Sequence, residues 1–444
     1  MINFKRTLFD IKKIVVFVTM IFLSSSASAF DFTSNGVNYG FSTVTGYTAN
    51  QTLLNSQLWW GNATLAREFA LAVRYTAPNN TGFAYSYEVG NWYGGSGVNY
   101  ASNSYCCGES SGGINIISAN SMAWAVVTIL GPSSADTQSS LHSLAPKLRT
   151  YYTTQSIATN FANMNTYDCD LFDTKGVCVS VGGQQTYVDN PSSNMTSTVV
   201  VAGYKVSPQI RIGGFLNQNI NKNTVAGVHI SNANPLMGLF AVWNQNEDRL
   251  GYQVKIANAY QDKDVTTTRD VIGTSEAGTG STTLNTQSYV GELSYAFLAN
   301  EDKTLVRPYA ALRYTRIKQD GYTEATSSGV TAPLTYSALA DRSTTALVGV
   351  KLNHKLAEKV NLTGSLGIEQ DLNHQVDNLT ATGVSSLTSE NFNDSIKRTR
   401  PVASIGAYYM PVKNQRISAD LYYQQLPFQS TGSATAYVNY TIGF

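Results

Sequence analysis

Apolar and polar residues alternate along the C-terminal two-thirds of the chain, most clearly at its end. Counted in steps of two, Phe444, Ile442, Tyr440 and Val438 share one apolar face. The positions between them carry small or polar residues, apart from Tyr437. Because successive side chains of a strand point to opposite faces, this period predicts one face against hydrocarbon and one in a wet interior. The alternative is the edge strand of a soluble β-sandwich.

The same alternation recurs from residue 177 onward and predicts strands along the whole region. It is cleanest in the segments 304–317, 358–370 and 415–425, whereas 236–243 is apolar on both faces. The twelve predicted strands cover residues 177–188, 197–206, 209–218, 235–244, 251–261, 286–298, 304–317, 342–353, 358–370, 397–410, 415–425 and 432–444. An even number of strands is the rule for bacterial barrels.

The connections between these strands alternate in length. Short turns are expected at 206–208, 246–248, 300–302, 354–357 and 411–414, and long Gly-, Ser-, Thr- and Asn-rich segments at 263–285, 321–340 and 371–395. Short turns at one end and long loops at the other are typical of an up-and-down outer-membrane barrel. With the C-terminus on the periplasmic side, every long loop would lie outside the cell.

The first 29 residues have the pattern of an export signal. Basic residues precede the apolar run 14–23, and Ala27 and Ala29 form a small-x-small site, which predicts cleavage between Ala29 and Phe30. The apolar run is shorter than the roughly 20 residues that a membrane-spanning helix needs. Insertion into a membrane would therefore require a closed barrel, because unpaired backbone groups are too costly in lipid.

Residues 30–131 are rich in Gly, Ser, Asn and Tyr and predict a small separate domain of mixed structure. One helix is predicted over 62–75, with Asn62 as its N-cap. Its apolar face is formed by Leu65, Phe69, Ala72 and Val73. No internal repeat occurs in this region, which argues against a long β-solenoid.

A second, longer helix is predicted between this domain and the strands. Leu141, Leu144 and Leu148 recur at helical spacing, and Pro146 is tolerated only in a first turn, so the helix is predicted over 145–165. About 20 helical residues span roughly 30 Å, the thickness of the hydrocarbon layer. Its Thr, Gln, Asn, Lys and Arg content suits a polar lumen rather than lipid. The alternative is a linker helix on a soluble domain.

Charge and composition narrow the function classes. Without the leader, 26 basic and 28 acidic residues remain, and no Lys/Arg tract occurs, so we expect no nucleic-acid partner. The 27 tyrosines suit the aromatic girdles of a membrane barrel.

Charged residues also fall on the predicted inward faces of the strands. They are Arg307, Arg313, Lys351 and Arg400 on the basic side and Glu292, Glu369 and Asp420 on the acidic side. We expect them to pair with one another and with the helix, because an unpaired charge in a narrow lumen is costly. The alternative is that they set the ion selectivity of an open pore.

The four cysteines are more consistent with disulfides than with metal ligands in an exported protein. Of the three pairings that four cysteines allow, we favour Cys169 with Cys178, which closes a short loop. Cys106 and Cys107 are adjacent, and they could form a vicinal bridge, pair with another chain or remain thiols.

Catalytic motifs are scarce. Histidines occur only at 142, 229, 354 and 374, and no Gly-x-Ser-x-Gly or His-Glu-x-x-His motif is present. Asp371 and His374, on the predicted long loop 371–395, are the best candidates for a hydrolase dyad at a barrel rim. Because this spacing is common without catalytic meaning, we predict no enzyme, no metal and no cofactor.

Together these segments resemble the autotransporter (type V secretion) family. The resemblance covers about residues 141–444, and the stretches 201–215 and 305–314 look like strands of that family's β-domain. The terminal Phe444, with Ile442, Tyr440 and Val438, resembles the signal by which outer-membrane barrels are recognised for assembly.

The resemblance implies a fold and a function. The fold would be all-β, a twelve-stranded antiparallel transmembrane barrel with a lumenal helix, plus the small N-terminal mixed domain. Its domains would be a signal peptide (1–29), a short passenger (30–131), a linker with a pore-threading helix (132–168) and the translocator barrel (169–444).

By the same resemblance the barrel would anchor the passenger at the cell surface, where its composition is compatible with adhesion to an unidentified ligand. Expected partners are outer-membrane lipids, periplasmic chaperones and the barrel assembly machinery, and we expect a monomer. No processing site is recognised, so we expect the passenger to stay attached. The alternatives are a small porin-like channel with a lumen plug and, third, an outer-membrane hydrolase.

Overall fold

The computed structural model forms two compact units, Met1–Gly131 and Pro132–Phe444. It describes residues 29–34, 37–73, 81–86, 100–106, 110–115, 123–129, 131–162, 168–189, 192–222, 226–230, 234–428 and 431–444. The predicted leader up to residue 28, Cys107 and the side chain of Cys106 lie outside the described residues. The predictions made for them therefore stay predictions.

In the first unit, the described residues form a six-stranded mixed sheet in the order β1-β2-β6-β3-β4-β5. Its elements are β1 (Phe30–Ser34), β2 (Val37–Thr45), α1 (Tyr47–Asn55), α2 (Ala63–Val73), β3 (Thr81–Ser86), β4 (Tyr100–Cys106), β5 (Ser110–Asn115) and β6 (Ala123–Ile129). Strands β3 and β6 pair in parallel, and the other neighbours are antiparallel.

Both faces of this sheet are covered. On one face Ala125 and Val127 belong to a buried cluster with Phe69 of α2, and on the other Trp124 and Val126 cluster with Tyr47 of α1. The alternation along β6 therefore places the two helices on opposite sides of the sheet.

Helix α2 confirms the predicted helix. The side chain of Asn62 accepts a hydrogen bond from the backbone N–H of Leu65 at 3.0 Å, and Phe69 and Val73 are buried. Ala72 is exposed instead of buried. Helix α1 was not predicted, because its N-cap is Gly46 without a side-chain cap and its sequence lacks an apolar stripe.

The second unit consists of one helix and a series of antiparallel strands. They are α3 (Ser134–Phe161), β7 (Val177–Val188), β8 (Ser193–Lys205), β9 (Ile210–Lys222), β10 (Val228–Ile230), β11 (Leu236–Asn244), β12 (Gly251–Thr268), β13 (Thr279–Ala299), β14 (Thr304–Gln319), β15 (Tyr322–Thr323), β16 (Thr335–Tyr336), β17 (Leu339–Lys355), β18 (Val360–Val376), β19 (Ala381–Thr382), β20 (Thr399–Tyr409), β21 (Gln415–Gln425) and β22 (Gly432–Gly443).

Twelve of these strands close into a barrel. The pairing runs β7-β8-β9-β11-β12-β13-β14-β17-β18-β20-β21-β22, and β22 pairs back onto β7. Strand β10 extends the pairing of β12 at its far end, and β15, β16 and β19 form a small separate sheet within the long loops. The predicted twelve-stranded ring is confirmed, with all five predicted short turns at one end.

Several strands are longer than predicted at the long-loop end. Strand β12 continues to Thr268 and β13 begins at Thr279, so the connection between them is much shorter than the predicted loop 263–285. Polar cross-strand pairs extend the ladder there: the hydroxyls of Thr268 and Thr279 lie 2.9 Å apart. A strand that leaves the bilayer has no apolar face, so its sequence is indistinguishable from a polar loop.

The alternation along the barrel strands places apolar side chains on the outer surface and polar ones inside, as predicted. On β21, Ile417 and Leu421 are 47% and 51% exposed on the outer surface, whereas Ser418 between them is buried. Several of the exposed aromatic side chains on the outer surface lie near the short turns, among them Tyr204, Trp243, Tyr252, Tyr295 and Tyr409. Such a girdle marks the level of a membrane interface.

Strand β11 is apolar on both faces, and its inner face packs against side chains inside the lumen. Leu236, Phe240 and Val242 belong to one buried cluster with Phe161 of α3. The inner face of this strand is therefore covered by apolar side chains, which explains why the strand did not match the alternating pattern.

Helix α3 begins eleven residues before the predicted position, so the prediction that Pro146 lies in its first turn is wrong. Ser133 is the N-cap, and its hydroxyl accepts a hydrogen bond from the N–H of Asp136 at 3.0 Å. Pro146 lies in the helix interior, where a proline costs about 3 kcal/mol or more. Burial of Leu141 and Leu144 before it offsets that cost. In the described part of the chain, no helix is long and apolar enough to cross a membrane.

Candidate functional site: the filled lumen of the barrel

Helix α3 fills the interior of the barrel. Its side chains join buried clusters with residues of the barrel wall and of the long loops. The hydroxyl of Tyr152 donates to the carbonyl of Leu339 on β17 at 2.9 Å, and the hydroxyl of Thr315 on β14 lies 3.5 Å from the Asn160 amide oxygen. The predicted lumenal helix is confirmed by these contacts.

The N-terminal end of α3 is held by the connection between β12 and β13. Lys147 donates to the carboxylate of Asp270 at 2.6 Å, and Asp136 accepts from both the backbone N–H and the hydroxyl of Thr274. The hydrogen bond from Lys147 lowers the pKa of Asp270, and the one from the Thr274 hydroxyl lowers that of Asp136. The helix therefore enters the lumen at the long-loop end.

Below this contact, charged residues of the wall form a buried ionic cluster. Arg313 on β14 makes two hydrogen bonds of 2.9 Å to Glu369 on β18, and Arg400 on β20 reaches both Glu369 and Asp371. These side chains are at most 3% exposed. Of the inward charges predicted to pair, Arg313 and Arg400 thus bind Glu369, and Lys351 binds Glu292. Among the described residues, Arg307 and Asp420 form no ion pair.

His374 extends the cluster, and its predicted place on a long loop is wrong. Asp371 and His374 lie within β18 and face the lumen. Nδ1 of His374 lies 2.8 Å from a carboxylate oxygen of Asp371, and its Nε2 lies 3.1 Å from one of Asp341. The pairing with β17 shifts register at Thr345, a β-bulge that lets residues three apart face the same side. Both ring nitrogens of His374 are therefore occupied by contacts to carboxylate oxygens.

At the short-turn end, the segment after α3 is fixed to the wall. Asp168 pairs with Arg211 at 2.6 Å, and Asp170 pairs with Arg249 and Arg416 at 2.6 and 2.8 Å. The chain therefore runs through the lumen from the long-loop end to the short-turn end.

The predicted disulfide lies in the same place. Cys169 and Cys178 are bonded, with their Cα atoms 5.7 Å apart, and both are fully buried. The bond joins the segment after α3 to the first barrel strand, β7.

The final strand closes the ring. Val438, Tyr440 and Phe444 are 55%, 41% and 43% exposed on the outer surface, and Ile442 is half-buried on the same face. The N–H of Phe444 donates to the carbonyl of Val177 at 2.8 Å. The role of these four residues as an assembly signal stays a prediction.

Sequence reasoning missed a second buried ion pair in the long loops. Arg269 makes two hydrogen bonds to Glu324, which also accepts from the hydroxyl of Tyr336, and both charged side chains are 1% exposed. Both residues lie in or beside segments predicted as loops, where a charge is normally solvated. The aromatic Tyr322 and Tyr336, stacked at 4.6 Å, were the available signal of a packed cap.

The family model for the autotransporter β-domain matches residues 180–424, more than half of the chain. The Neisserial autotransporter lipoprotein NalP, from two serogroup B strains of Neisseria meningitidis, is 30% identical over 120 residues. That match covers 27% of this chain and 10% of the length of each relative.

Among the solved structures to which the chain is similar are three autotransporter domains. The translocator domain of NalP from Neisseria meningitidis is 20% identical, with a TM-score of 0.45, over 61% of this chain and 90% of that one. The β-domain of the Bordetella autotransporter BrkA is 14% identical, with a TM-score of 0.40, over 61% of this chain and 99% of that one. The transport unit of the autotransporter AIDA-I from Escherichia coli is 12% identical, with a TM-score of 0.41, over 67% of this chain and 99% of that one.

The match of the family model rests on the same residues that form the ring of strands. Its bounds extend from the first barrel strand, β7, into β21. The chain therefore belongs to the autotransporter family, and its β-domain is a barrel of the bacterial outer membrane.

Proposed function

We propose that the barrel translocates the short N-terminal region to the cell surface and then anchors it there. The observation that carries the proposal is the direction of α3, which lies inside a closed ring and enters it at the long-loop end. Since the C-terminal segment and the short turns lie on the periplasmic side in such barrels, a chain preceding α3 continues from the outer face.

The domain assignment belongs to this proposal. Residues 1–29 are the export signal, 30–131 the passenger, 132–168 the linker with its lumenal helix and 169–444 the translocator. The network that holds α3, from Asp136 to Asp170, favours a passenger that stays attached after translocation. Chaperones of the periplasm and the barrel assembly machinery, which would recognise Val438, Tyr440, Ile442 and Phe444, are the partners this function requires.

We assign the chain no catalytic role. His374, the best candidate for a hydrolase dyad, is fully buried and engages carboxylates with both ring nitrogens. The porin-like alternative needs an open lumen, and α3 occupies it.

Surface display is tested with a protease site inserted after Gly131 in the full-length chain. On intact cells, external protease is expected to release the N-terminal region and leave the barrel in the membrane. A second site inserted at the periplasmic turn Asn300–Lys303 serves as the control, and it is expected to be cut only after the outer membrane is permeabilised. Protection of the site after Gly131 on intact cells would contradict the proposal.

A further inference from the structure

The short-turn half of the lumen contains a polar cavity of 380 Å³. Its lining side chains come from strands around the ring and from Asp168 and Asp170 of the segment after α3. A water molecule takes up about 30 Å³ in the liquid, so the cavity has room for several waters or a small hydrated ion. It lies apart from the contacts that hold the long-loop end of α3.

Six basic and five acidic side chains line this cavity. Three of the basic ones are committed to the segment after α3: Arg211 pairs with Asp168, and Arg249 and Arg416 share Asp170. These five residues are joined by direct ion pairs. Lys255 and Arg307 lie within electrostatic range of Asp168 but form no direct ion pair with it among the described residues.

The remaining cations outnumber their acidic neighbours. Lys351 forms an ion pair with Glu292 at 2.6 Å. Lys255 is 6% exposed, and across the described ranges it has no hydrogen bond or ion pair. Arg307 is 8% exposed, and within the described part of the chain it donates to a backbone carbonyl at 3.0 Å and a serine hydroxyl at 3.5 Å, both uncharged.

The strand register brings these four residues together. Lys255 on β12 lies directly opposite Glu292 on β13, and Arg307 on β14 lies directly opposite Lys351 on β17. All four face the cavity, so three cations surround one carboxylate.

The two other acids of the cavity are engaged elsewhere. Asp420 accepts a hydrogen bond from the Thr363 hydroxyl at 3.0 Å, and Asp248 accepts from the N–H of Leu250 in its own turn. Neither forms an ion pair with Lys255 or Arg307 among the residues that the structure describes.

Three cations around one carboxylate leave a local excess of positive charge, and such an excess between low-dielectric walls concentrates anions. Guanidinium and ammonium groups bind carboxylate and phosphate oxygens through charge-assisted hydrogen bonds. We propose that Lys255 and Arg307 form a binding site for a small oxyanion of the phosphate or carboxylate type, entered from the periplasm. This site is independent of the passenger's display.

The test is calorimetric titration of the purified full-length chain with inorganic phosphate, at an ionic strength held constant with chloride. Saturable binding with one phosphate per chain is expected. Lys255→Gln combined with Arg307→Gln should weaken it at least tenfold. Glu292→Gln should act in the opposite direction and tighten binding several-fold, because it removes the one carboxylate of the group.

Lys303→Gln is the matched control, since this side chain is 56% exposed in a short turn and should leave the affinity unchanged. Heat-modifiable migration in gels verifies that each variant contains a folded barrel. Absence of saturable phosphate binding, unchanged affinity in the double variant, or weaker binding in Glu292→Gln would each overturn the site. If the double variant does not fold, the direction of the Glu292→Gln effect decides.

Discussion

Glu369 holds together the buried ionic cluster of the barrel wall. Its carboxylate binds Arg313 and Arg400. Arg400 lies on β20, which pairs with β18, and Arg313 lies on β14, which is separated from β18 by β17. Alternation in the sequence placed all three on the inner face. Asp371 continues the same alternation, beyond the end of the predicted strand. His374 could not be placed, because the β-bulge that turns it toward the lumen leaves no mark in the spacing of polar and apolar residues.

Replacing Glu369 with Gln is expected to destabilise the barrel by about 3–5 kcal/mol, because buried Arg313 loses its counter-charge and Arg400 keeps only Asp371. Asp377→Asn is the matched control. It breaks the ion pair with Arg342, in which both side chains are about 40% exposed (40% and 41%), and should cost less than about 1 kcal/mol. Equilibrium urea unfolding in lipid vesicles measures both, and equal losses would contradict the buried role of Glu369.

The strands are the elements that the sequence predicted best. A half-buried strand in a membrane alternates, and this pattern located the barrel strands except β11, which was located as an apolar run. Within these twelve strands, the polar ends beyond the bilayer were missed. Helix α3 was predicted with the wrong start because tertiary packing in the lumen overrides the local cost of Pro146. Helix α1 carries no cap or apolar stripe and could not be predicted.

Two glycines of the wall test the packing of the strands. A Cβ at Gly238 on β11 would lie 2.0 Å from the carbonyl oxygen of Asn258 and 2.6 Å from the Phe215 ring, whereas a Cβ at Gly291 on β13 meets nothing within 4 Å. Gly238→Ala should therefore cost about 1–3 kcal/mol or more and lower the yield of folded barrel. Gly291→Ala should leave the heat-modifiable fraction unchanged, and equal yields would contradict the described register.

At the scale of the whole molecule, the ring of strands and its filled lumen form one system. A closed barrel satisfies its backbone groups within the membrane, and a polar helix supplies partners for the inward side chains. The sequence indicated this arrangement through the helix that precedes the strands and through the alternation of turn and loop lengths. Which wall residues touch the helix required the coordinates, since contacts such as Tyr152 with Leu339 depend on the rotation of α3.

Disulfide cross-linking tests the central claim, that α3 lies inside the barrel, most directly. Asn160→Cys with Thr315→Cys joins the helix to an inward position, because these two side chains lie 3.5 Å apart. The matched pair, Asn160→Cys with Tyr314→Cys, uses the adjacent outward position on β14, where Tyr314 is 40% exposed. Mass spectrometry of the full-length chain from outer membranes is expected to find the cross-linked peptide only in the first pair. Absence of that link, or equal linking in both pairs, would contradict a helix in the lumen.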